Sequence, residues 1–465
     1  LERNEEEADD LLEVIEDELR ERKFAQIVRL ELDIQTPAPV KKFLVKHLEI
    51  IPQDVYEMKG TIGLVDVFQI ASAKGFSHLK DEPWRPVLHP VFHHPPEEQL
   101  PNIFSVIKKG DFMVHHPYHS FELSTQRFIE EAAKDPKVLA IKQTLYRTSK
   151  DSPLMHALMH AAEEGKQVAV LVEIKARFDE ERNILWAQQL ENVGVHVAYG
   201  IPGLKIHTKL TMVVREEEEG LRTYCHIGTG NYHPDTAQLY EDLGLFTCDE
   251  VMAKDVTNVF NLLTGFAPEQ RFDKLLVAPR YMRKGMLDLI DHEIEEAKAS
   301  KPARIIAKMN SLEDPQIIER LYEASNAGVE IDLIVRGVCR LRPSVAGLSD
   351  RIRVHSVIGR FLEHSRLYYF YHSGEHIYTI GSADWMHRNL DARVEAITPI
   401  ESEQLKKYLQ FVLEIYLKDN RQRWMLESDG TYSKASTTEK GVKKGTHKAM
   451  MKHISSSKTP IPMPS

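Results

Sequence analysis

The sequence has few cysteines, no long apolar run and no excess of positive charge. Only three of its 465 residues are cysteine. This sparse set, Cys225, Cys248 and Cys339, argues against a disulfide framework or a zinc site and indicates a reducing compartment. No run of about 18 apolar residues exists, so no transmembrane helix is predicted. A net charge of -10 excludes a broadly basic surface for nucleic acid, so any polyanion must meet a local basic pocket.

The amino terminus also lacks the features of a complete or targeted chain. Residues 1–10 include no Met, and they are acidic, unlike a signal peptide or a basic transit peptide. We therefore expect the sequence to begin inside a longer protein. Its 42% hydrophobic and 28% charged residues are typical of a globular protein, and its length predicts about three domains.

The middle of the chain contains two copies of one α/β unit. In the first copy we predict strands at 138–146, 167–173 and 195–199, with helices at 154–164 and 181–193. In the second we predict strands at 303–309, 329–335 and 352–357, with a helix at 315–327. Strands that alternate with helices of this length predict a parallel sheet in an α/β layer. We place the two units at 93–272 and 273–429.

The two ends of the chain differ from the repeats. Residues 1–92 begin with a charged helical pattern over 1–23 and an alternating strand pattern over 27–33. A Pro- and His-rich stretch at 86–96 is typical of a linker. Residues 430–465 are rich in Ser, Thr, Lys and Pro, so we predict a mobile basic tail.

Each repeat carries a histidine at an equivalent place. His207 and Lys209 precede a hairpin that ends at residues 228–231, and His364 and Arg366 precede a hairpin that ends at residues 381–384. Side chains two residues apart on a strand point the same way, so each histidine shares a face with a cation. Backbone N–H groups of the glycine-containing turn complete a set that suits a phosphoryl group in transfer. Two facing repeats would form one site with two histidines.

This pattern resembles the phospholipase D superfamily, whose signature has an Asp five residues after the Lys of His-x-Lys. Val214 and Tyr371 stand at those positions, so the phosphodiesterase form of the signature is incomplete. The surrounding segments resemble the polyphosphate kinase family of the histidine-phosphorylating type. These segments are 118–122, 141–147, 172–179, 203–209, 228–232, 242–246, 361–366, 381–386 and 388–391. The resemblance implies two tandem phospholipase D-like α/β domains, preceded by part of an α+β head domain at 1–92.

The resemblance also implies an activity and two catalytic histidines. The activity is reversible transfer of the ATP γ-phosphoryl group to the end of inorganic polyphosphate, with His207 as the residue that becomes phosphorylated. A neutral imidazole is a good nucleophile near pH 7, which suits this role. His364 is expected to transfer a proton or to stabilise charge, and Lys209 and Arg366 to neutralise the phosphoryl group.

Further site residues follow from the same resemblance. Arg147 and Arg177 match arginines that line a magnesium–phosphate site; a guanidinium has only donors, so they would hold phosphate oxygens beside the cofactor magnesium. Tyr240, Arg336 and His364 match nucleotide-contacting positions. Apart from the resemblance, Lys142 and Lys308 lie on equivalent strands, and we hypothesise that they face the polyphosphate path.

The remaining expectations concern partners and alternatives. The resemblance implies ATP, ADP and polyphosphate as partners, a homodimer, and a cytoplasmic location with possible membrane association. A phospholipase D-like phosphodiesterase is one alternative, disfavoured by Val214 and Tyr371. An inert polyphosphate-binding fragment is the other, because the family's N-terminal domain, which helps to hold adenine, would precede residue 1.

Overall fold

The computed structural model describes residues 26–93, 100–146, 149, 151–173, 180–201, 203–265, 270–435 and 445–456. The chain divides into two compact units, Leu1–Trp84 and Arg85–Ser465. The expected boundary after residue 92 stays a prediction, and the division between these units falls earlier. Phe92 is fully buried and packs edge-on against Phe112 of the second unit, with ring centroids 5.4 Å apart. Burial of this apolar ring ties the segment after residue 84 to the repeats.

The first unit contains one parallel pair of short strands. Its elements are β1 (Leu30–Asp33), α1 (Ala38–His47), β2 (Val55–Met58) and α2 (Val67–Ala71). β1 pairs with β2 in register from Leu30 opposite Val55. The strand predicted at 27–33 is confirmed over its second half, and the helix predicted at 1–23 lies outside the described residues.

The second unit contains the first of the predicted repeats. Its elements are α3 (Ile103–Lys109), β3 (Phe112–His116), α4 (Arg127–Lys134), β4 (Val138–Leu145), α5 (Pro153–Glu163), β5 (Gln167–Val172), α6 (Glu180–Asn192), β6 (His196–Ala198), β7 (Lys205–Ile206), β8 (Leu210–Glu217), β9 (Gly220–Gly228), β10 (Tyr240–Thr247) and α7 (Glu250–Leu263). β4, β5 and β6 are parallel, and the hairpin β8–β9 joins antiparallel to β4.

The second repeat follows in the same unit. Its elements are β11 (Leu276–Val277), α8 (Met282–Lys298), β12 (Arg304–Met309), α9 (Pro315–Ala327), β13 (Glu330–Val335), β14 (Ile352–Val357), β15 (Leu362–Glu363), β16 (Arg366–Phe370), β17 (Ile377–Gly381), α10 (His387–Asp391), β18 (Arg393–Val394), β19 (Ala396–Pro399), α11 (Glu403–Leu417), β20 (Arg423–Leu426), β21 (Tyr432–Lys434) and α12 (Thr446–Ser456). β12, β13 and β14 are parallel, and β16 joins antiparallel to β12. The predicted duplication of an α/β unit is confirmed.

The predicted helix at 315–327 is confirmed as α9, and local chemistry explains its ends. The Asp314 side chain accepts a hydrogen bond from the Ile317 backbone N–H at 3.0 Å, while Pro315 occupies the first turn. Gly328 ends the helix at a φ of 111°, a left-handed conformation that costs glycine little. Ile317 and Leu321 are fully buried against the sheet, so one face of α9 enters the second core.

Short strands also link the two repeats. β7 pairs in parallel with β18, and β15 pairs in parallel with β10. In each pair one strand lies just before a motif histidine, and the other comes from the opposite repeat. This exchange brings the two histidine motifs into contact with both halves of the unit.

The predicted mobile tail is corrected over part of its length. β21 continues the second sheet, and α12 is a helix in which Met450 is fully buried and His447 is 2% exposed. The Thr446 backbone N–H donates to Asp419 at 2.6 Å and fixes the start of this helix. Apolar side chains spaced along α12 supply the burial that the Lys-rich composition concealed.

None of the helices that the structure describes combines the length and the apolar character that a membrane-spanning helix needs.

Candidate functional site

His207 is held by the opposite repeat. The backbone N–H groups of His207 and Thr208 both donate to the Val394 carbonyl at 3.0 Å, which continues the β7–β18 pairing. The next residue, Glu395, places its carboxylate oxygens 2.8 and 2.9 Å from Nδ1 of His207. Glu395 is fully buried. The carboxylate accepts a hydrogen bond from the Nδ1–H group. In the neutral ring, Nε2 is therefore the nitrogen with a lone pair available for attack.

His364 is held in the reciprocal way. The backbone N–H groups of His364 and Ser365 donate to the Glu241 carbonyl at 3.2 and 2.8 Å. Asp242, the residue after Glu241, places its two oxygens 2.8 and 2.9 Å from Nδ1 of His364. The site therefore contains two histidine–carboxylate pairs, each of which joins the two repeats.

Neither carboxylate was predicted from the sequence. Each lies eleven residues beyond the last residue of its glycine-containing turn: Asp242 follows Asn231, and Glu395 follows Asp384. This shared spacing was the available signal. Sequence could not show that each acid faces the histidine of the other repeat, because that follows from strand pairing between repeats.

The electrostatic environment favours neutral histidines. Burial lowers the pKa of His207 well below its usual value, and the positive charges of Lys209, Arg393 and Arg366 lower it further. Burial also lowers the pKa of His364, with Arg366 and Arg336 acting in the same direction and Asp242 against them. A neutral imidazole at His207 is the nucleophilic form.

Lys209 is buried beside the histidine that precedes it. Its Nζ donates to the His207 carbonyl and lies 5.1 Å from the centroid of the Tyr146 ring. Burial lowers the pKa of Lys209 to about 7, although Glu395 raises it in part. This cation can therefore lose its charge near neutral pH.

Arg366 is fixed by a carboxylate and by backbone carbonyls. Its guanidinium bonds both oxygens of Asp384, at 3.2 and 3.0 Å, and donates to the His364 carbonyl at 2.8 Å. It also reaches the Thr229 carbonyl of the first repeat at 3.3 Å. Its charge is therefore held in place next to both motifs by bonds that orient it.

Asp242 is positioned by the glycine turn of its own repeat. Thr229 donates its hydroxyl to Asp242 at 2.6 Å, and a Cβ on Gly230 would lie 2.3 Å from the same carboxylate. Burial opposes ionisation of Asp242, but its interaction with His364, the Thr229 hydrogen bond and the charge of Arg366 lower its pKa overall. The turn thus needs glycine because the carboxylate packs against its backbone.

The expected nucleotide-contacting residues lie together around the second histidine. The Tyr240 and His364 rings are 5.2 Å apart between centroids. Arg336 donates to the Glu363 carbonyl at 2.7 Å, one residue before His364. The structure groups these three side chains, while their contact with nucleotide stays a prediction.

The predicted magnesium-site arginines, Arg147 and Arg177, lie outside the described residues. Within the described part of the chain, no group of three His, Cys, Asp or Glu side chains is placed to hold a metal ion. The site carboxylates are already engaged: Asp242 and Glu395 by histidines, and Asp384 by Arg366.

The hypothesis that Lys308 lines a polyphosphate path is wrong. Lys308 is 1% exposed, and its Nζ lies 2.6 Å from Glu241 and 2.9 Å from Glu363. Two carboxylates therefore hold this cation inside the protein. Lys142 is only partly buried, and its role stays a prediction.

Three family models match the chain. They are the polyphosphate kinase middle domain at residues 1–70, C-terminal domain 1 at 102–269 and C-terminal domain 2 at 275–445. Together they account for most of the sequence and cover both histidine motifs.

Curated relatives and a solved structure carry the same name. The polyphosphate kinase of Thermosynechococcus vestitus is 54% identical over 464 residues, which cover 96% of this chain and 63% of the relative. That of Synechocystis sp. is 54% identical over 440 residues, 92% of this chain and 60% of the relative. The chain thus spans somewhat less than two thirds of these relatives. The crystal structure of polyphosphate kinase from Porphyromonas gingivalis matches with a TM-score of 0.81 at 34% identity, covering 92% of this chain and 65% of that chain.

Proposed function

Because the chain belongs to the polyphosphate kinase family, we propose that it transfers the ATP γ-phosphoryl group reversibly to the end of polyphosphate, through a phosphohistidine at His207. One observation carries this proposal. His207 is held at Nδ1 by the buried carboxylate of Glu395, so in the neutral ring Nε2 is the nitrogen that carries the lone pair. This arrangement directs a neutral nucleophile at an incoming phosphorus atom.

The proposed step balances as an in-line displacement. The lone pair on Nε2 of His207 forms the new N–P bond while the bond from the γ-phosphorus to the bridging oxygen breaks, and ADP leaves with that electron pair. The ring gains positive charge as the bond forms. The Glu395 carboxylate, 2.9 Å from Nδ1, stabilises this charge by accepting the Nδ1 proton in a charge-assisted hydrogen bond.

The second half of the reaction uses the same atoms in reverse. A terminal oxygen of polyphosphate attacks the phosphorus, the N–P bond breaks, and neutral His207 returns. A phosphoramidate keeps a high transfer potential, which allows the step to run both ways. We assign charge stabilisation of the entering or leaving phosphate to His364, with proton transfer as the other form of this role.

The cations are proposed to act on the transferred group. Lys209 and Arg366 are buried beside the two histidines, and Arg366 is oriented by Asp384. Phosphoryl transfer depends mainly on positioning and electrostatics, so fixed positive charge here lowers the barrier. The proposed nucleotide contacts are Tyr240, Arg336 and His364.

The donor set fits a magnesium ion held mainly by phosphate. The described carboxylates of the site are paired with histidine or arginine, so they leave the metal to phosphate oxygens and water, as is usual for magnesium on nucleotides. When bound, magnesium would neutralise phosphate charge. Arg147 and Arg177 are proposed to hold phosphate oxygens beside it.

Further parts of the proposal rest on the family alone. They are ATP, ADP and polyphosphate as partners, a homodimer, and a cytoplasmic location. Light scattering at several concentrations tests the homodimer, and a single monomer mass throughout would oppose it.

Peptide mass spectrometry after incubation with magnesium and one donor tests the proposed chemistry. We expect one phosphate on the peptide that contains His207, attached at Nε2, with ATP and with polyphosphate as separate donors. His207→Gln should abolish it, while His355→Gln, a matched buried histidine paired with Asp332, should retain it. Label from polyphosphate alone would indicate that nucleotide binding needs more chain. The inert-fragment alternative predicts no label from either donor.

A further inference from the structure

The short strand pair β10–β15 has two faces with different chemistry. Because side chains alternate along a strand, Asp242 and His364 lie on the face towards the site, and Glu241 and Glu363 lie on the opposite face. Glu241 is fully buried and Glu363 is 4% exposed. Two carboxylates therefore lie directly beneath the His364–Asp242 pair.

Lys308 joins these two carboxylates. Its Nζ lies 2.6 Å from Glu241 and 2.9 Å from Glu363, and it donates to the Ser365 hydroxyl at 2.8 Å. Ser365 in turn donates to Glu241 at 2.6 Å. Glu363 and Ser365, which flank His364, therefore belong to one buried cluster. Glu241, which precedes Asp242, belongs to the same cluster.

Histidines from more distant segments complete the cluster. His447 of α12 lies 2.6 Å from Glu363 through Nε2, and the Tyr416 hydroxyl donates to Glu363 at 2.6 Å. His115 of β3 lies 2.5 Å from Glu241. Every one of these partners is nearly or fully buried, so their bonds are not weakened by solvent.

The bonds of His447 fix its tautomer. The Phe361 backbone N–H donates to Nδ1 of His447 at 3.2 Å, so Nδ1 is an acceptor and the proton is on Nε2. Nε2 then donates to the Glu363 carboxylate. A Cβ on Gly359 would lie 2.5 Å from Nδ1 of His447, so glycine at this position allows the close approach of α12.

In the described part of the chain, the other histidine pair is backed by different residues. On β7 and β18 the positions equivalent to Glu363 and Glu241 are Ile206 and Val394, which are 1% and 0% exposed and pack in an apolar core. The Ile206 backbone N–H donates instead to the buried Glu173 carboxylate at 2.6 Å. Among the described residues, a lysine shared by two strand-pair carboxylates lies only on the His364 half of the site, and strand pairing alone does not explain the added bond from α12.

We infer that His447 is a positioning residue for His364. Through Glu363 it fixes the segment that presents His364 to Asp242, so α12 contributes to the geometry of the site. The inference rests on the proposed function for its kinetic consequence. It adds a residue, and a segment near the C-terminal end, to which that function assigns no role.

The test compares variants at one position of α12 with a control on the same helix. His447→Leu removes the donor to Glu363, whereas His447→Gln keeps an N–H donor of similar reach. Met450→Leu is the control, because Met450 is fully buried on α12 and has no part in the cluster. The readouts are the maximal rate and half-saturating polyphosphate concentration for phosphohistidine formation, the melting temperature, and the ¹⁵N resonances of His364, assigned with His364→Gln.

We expect His447→Leu to lower the maximal rate on the order of tenfold to hundredfold, as small displacements of catalytic groups do, with half-saturation nearly unchanged. His447→Gln should recover most of the rate, and Met450→Leu should resemble wild type. His364 resonances should shift in the Leu variant and return in the Gln variant.

Two results would overturn the inference. One is a His447→Leu variant with wild-type rate and unmoved His364 resonances. The other is a His447→Gln variant as slow as His447→Leu, with both losses of rate explained by lower melting temperatures. If wild type itself forms no phosphohistidine, the proposed function fails, and the His364 resonances still decide the positioning role.

Discussion

The Glu395 carboxylate offers the sharpest test of the phosphohistidine chemistry. It holds the Nδ1 proton of His207, accepts from the Asn389 side-chain amide, and is fully buried. Glu395→Gln removes its charge, while Glu395→Leu removes both the charge and the hydrogen bond. The two variants therefore separate charge stabilisation from control of the tautomer.

The magnitude for Glu395→Gln follows from the local hydrogen bonds. The side-chain oxygen of Asn389 is buried and has no partner among the described residues. A flip of this side-chain amide would therefore let its oxygen accept a hydrogen bond from the new Gln N–H. The Gln oxygen then still faces Nδ1 of His207. Only the charge is lost, and a hydrogen bond to a charged group contributes about 1.5–3 kcal/mol. The expected loss in phosphorylation rate is about tenfold to hundredfold.

Glu395→Leu should be far slower. Without an acceptor, Nδ1 no longer selects the tautomer, and a loss of that control in a serine protease lowers kcat about 10⁴-fold. We expect a loss on the order of 10³-fold or more for His207 by the same reasoning.

The assay is single-turnover labelling of His207 from polyphosphate, with melting temperature as the folding control. Burial raises the pKa of Glu395, which means that its ionised form is costly in the folded state near neutral pH. The Gln variant should therefore be at least as stable as wild type. A Gln variant with wild-type rate, or Gln and Leu variants with equal losses, would refute this account of Glu395.

Three more predictions follow from the buried groups of the site. Burial lowers the pKa of Lys209 to about 7, so the affinity of the free protein for polyphosphate should fall as pH rises through 7. Lys209→Arg should remove that fall. The same pH dependence of affinity in the variant and the wild type would contradict this prediction. Lys308→Met should lower the free energy of unfolding by about 3–5 kcal/mol at pH 7, measured by denaturant unfolding, because two buried carboxylates lose their cation. Burial raises the pKa of Glu241, but Lys308 lowers it by more, to well below 4.5, so the stabilisation from this pair is present above pH 4.5 and is lost on acidification. The difference in unfolding free energy between Lys308→Met and wild type should therefore narrow below pH 4.5. A difference that does not change with pH would count against the pairing. Gly230→Ala should slow phosphohistidine formation as much as Asp242→Asn does, because the new Cβ would lie 2.3 Å from that carboxylate; a wild-type rate would show that the turn can yield.

The sequence by itself determined the repeated elements and the two motif histidines. Hydrophobic alternation marked strands such as β14, and a proline at the first turn with a glycine at the end marked α9 to the residue. These signals are local, because periodicity and capping depend on residues only a few positions apart. The histidine, the cation two residues later and the glycine turn were visible for the same reason.

Only the tertiary structure decided which groups face each other. Glu395 bonds His207 across 188 residues, and Asp242 bonds His364 across 122, through strand pairs that no local pattern encodes. Burial also reversed a sequence expectation: Lys308 looked available to polyphosphate and is instead enclosed by two carboxylates. Long-range pairing and desolvation set the partners and the charge of each site residue, and both depend on the complete fold.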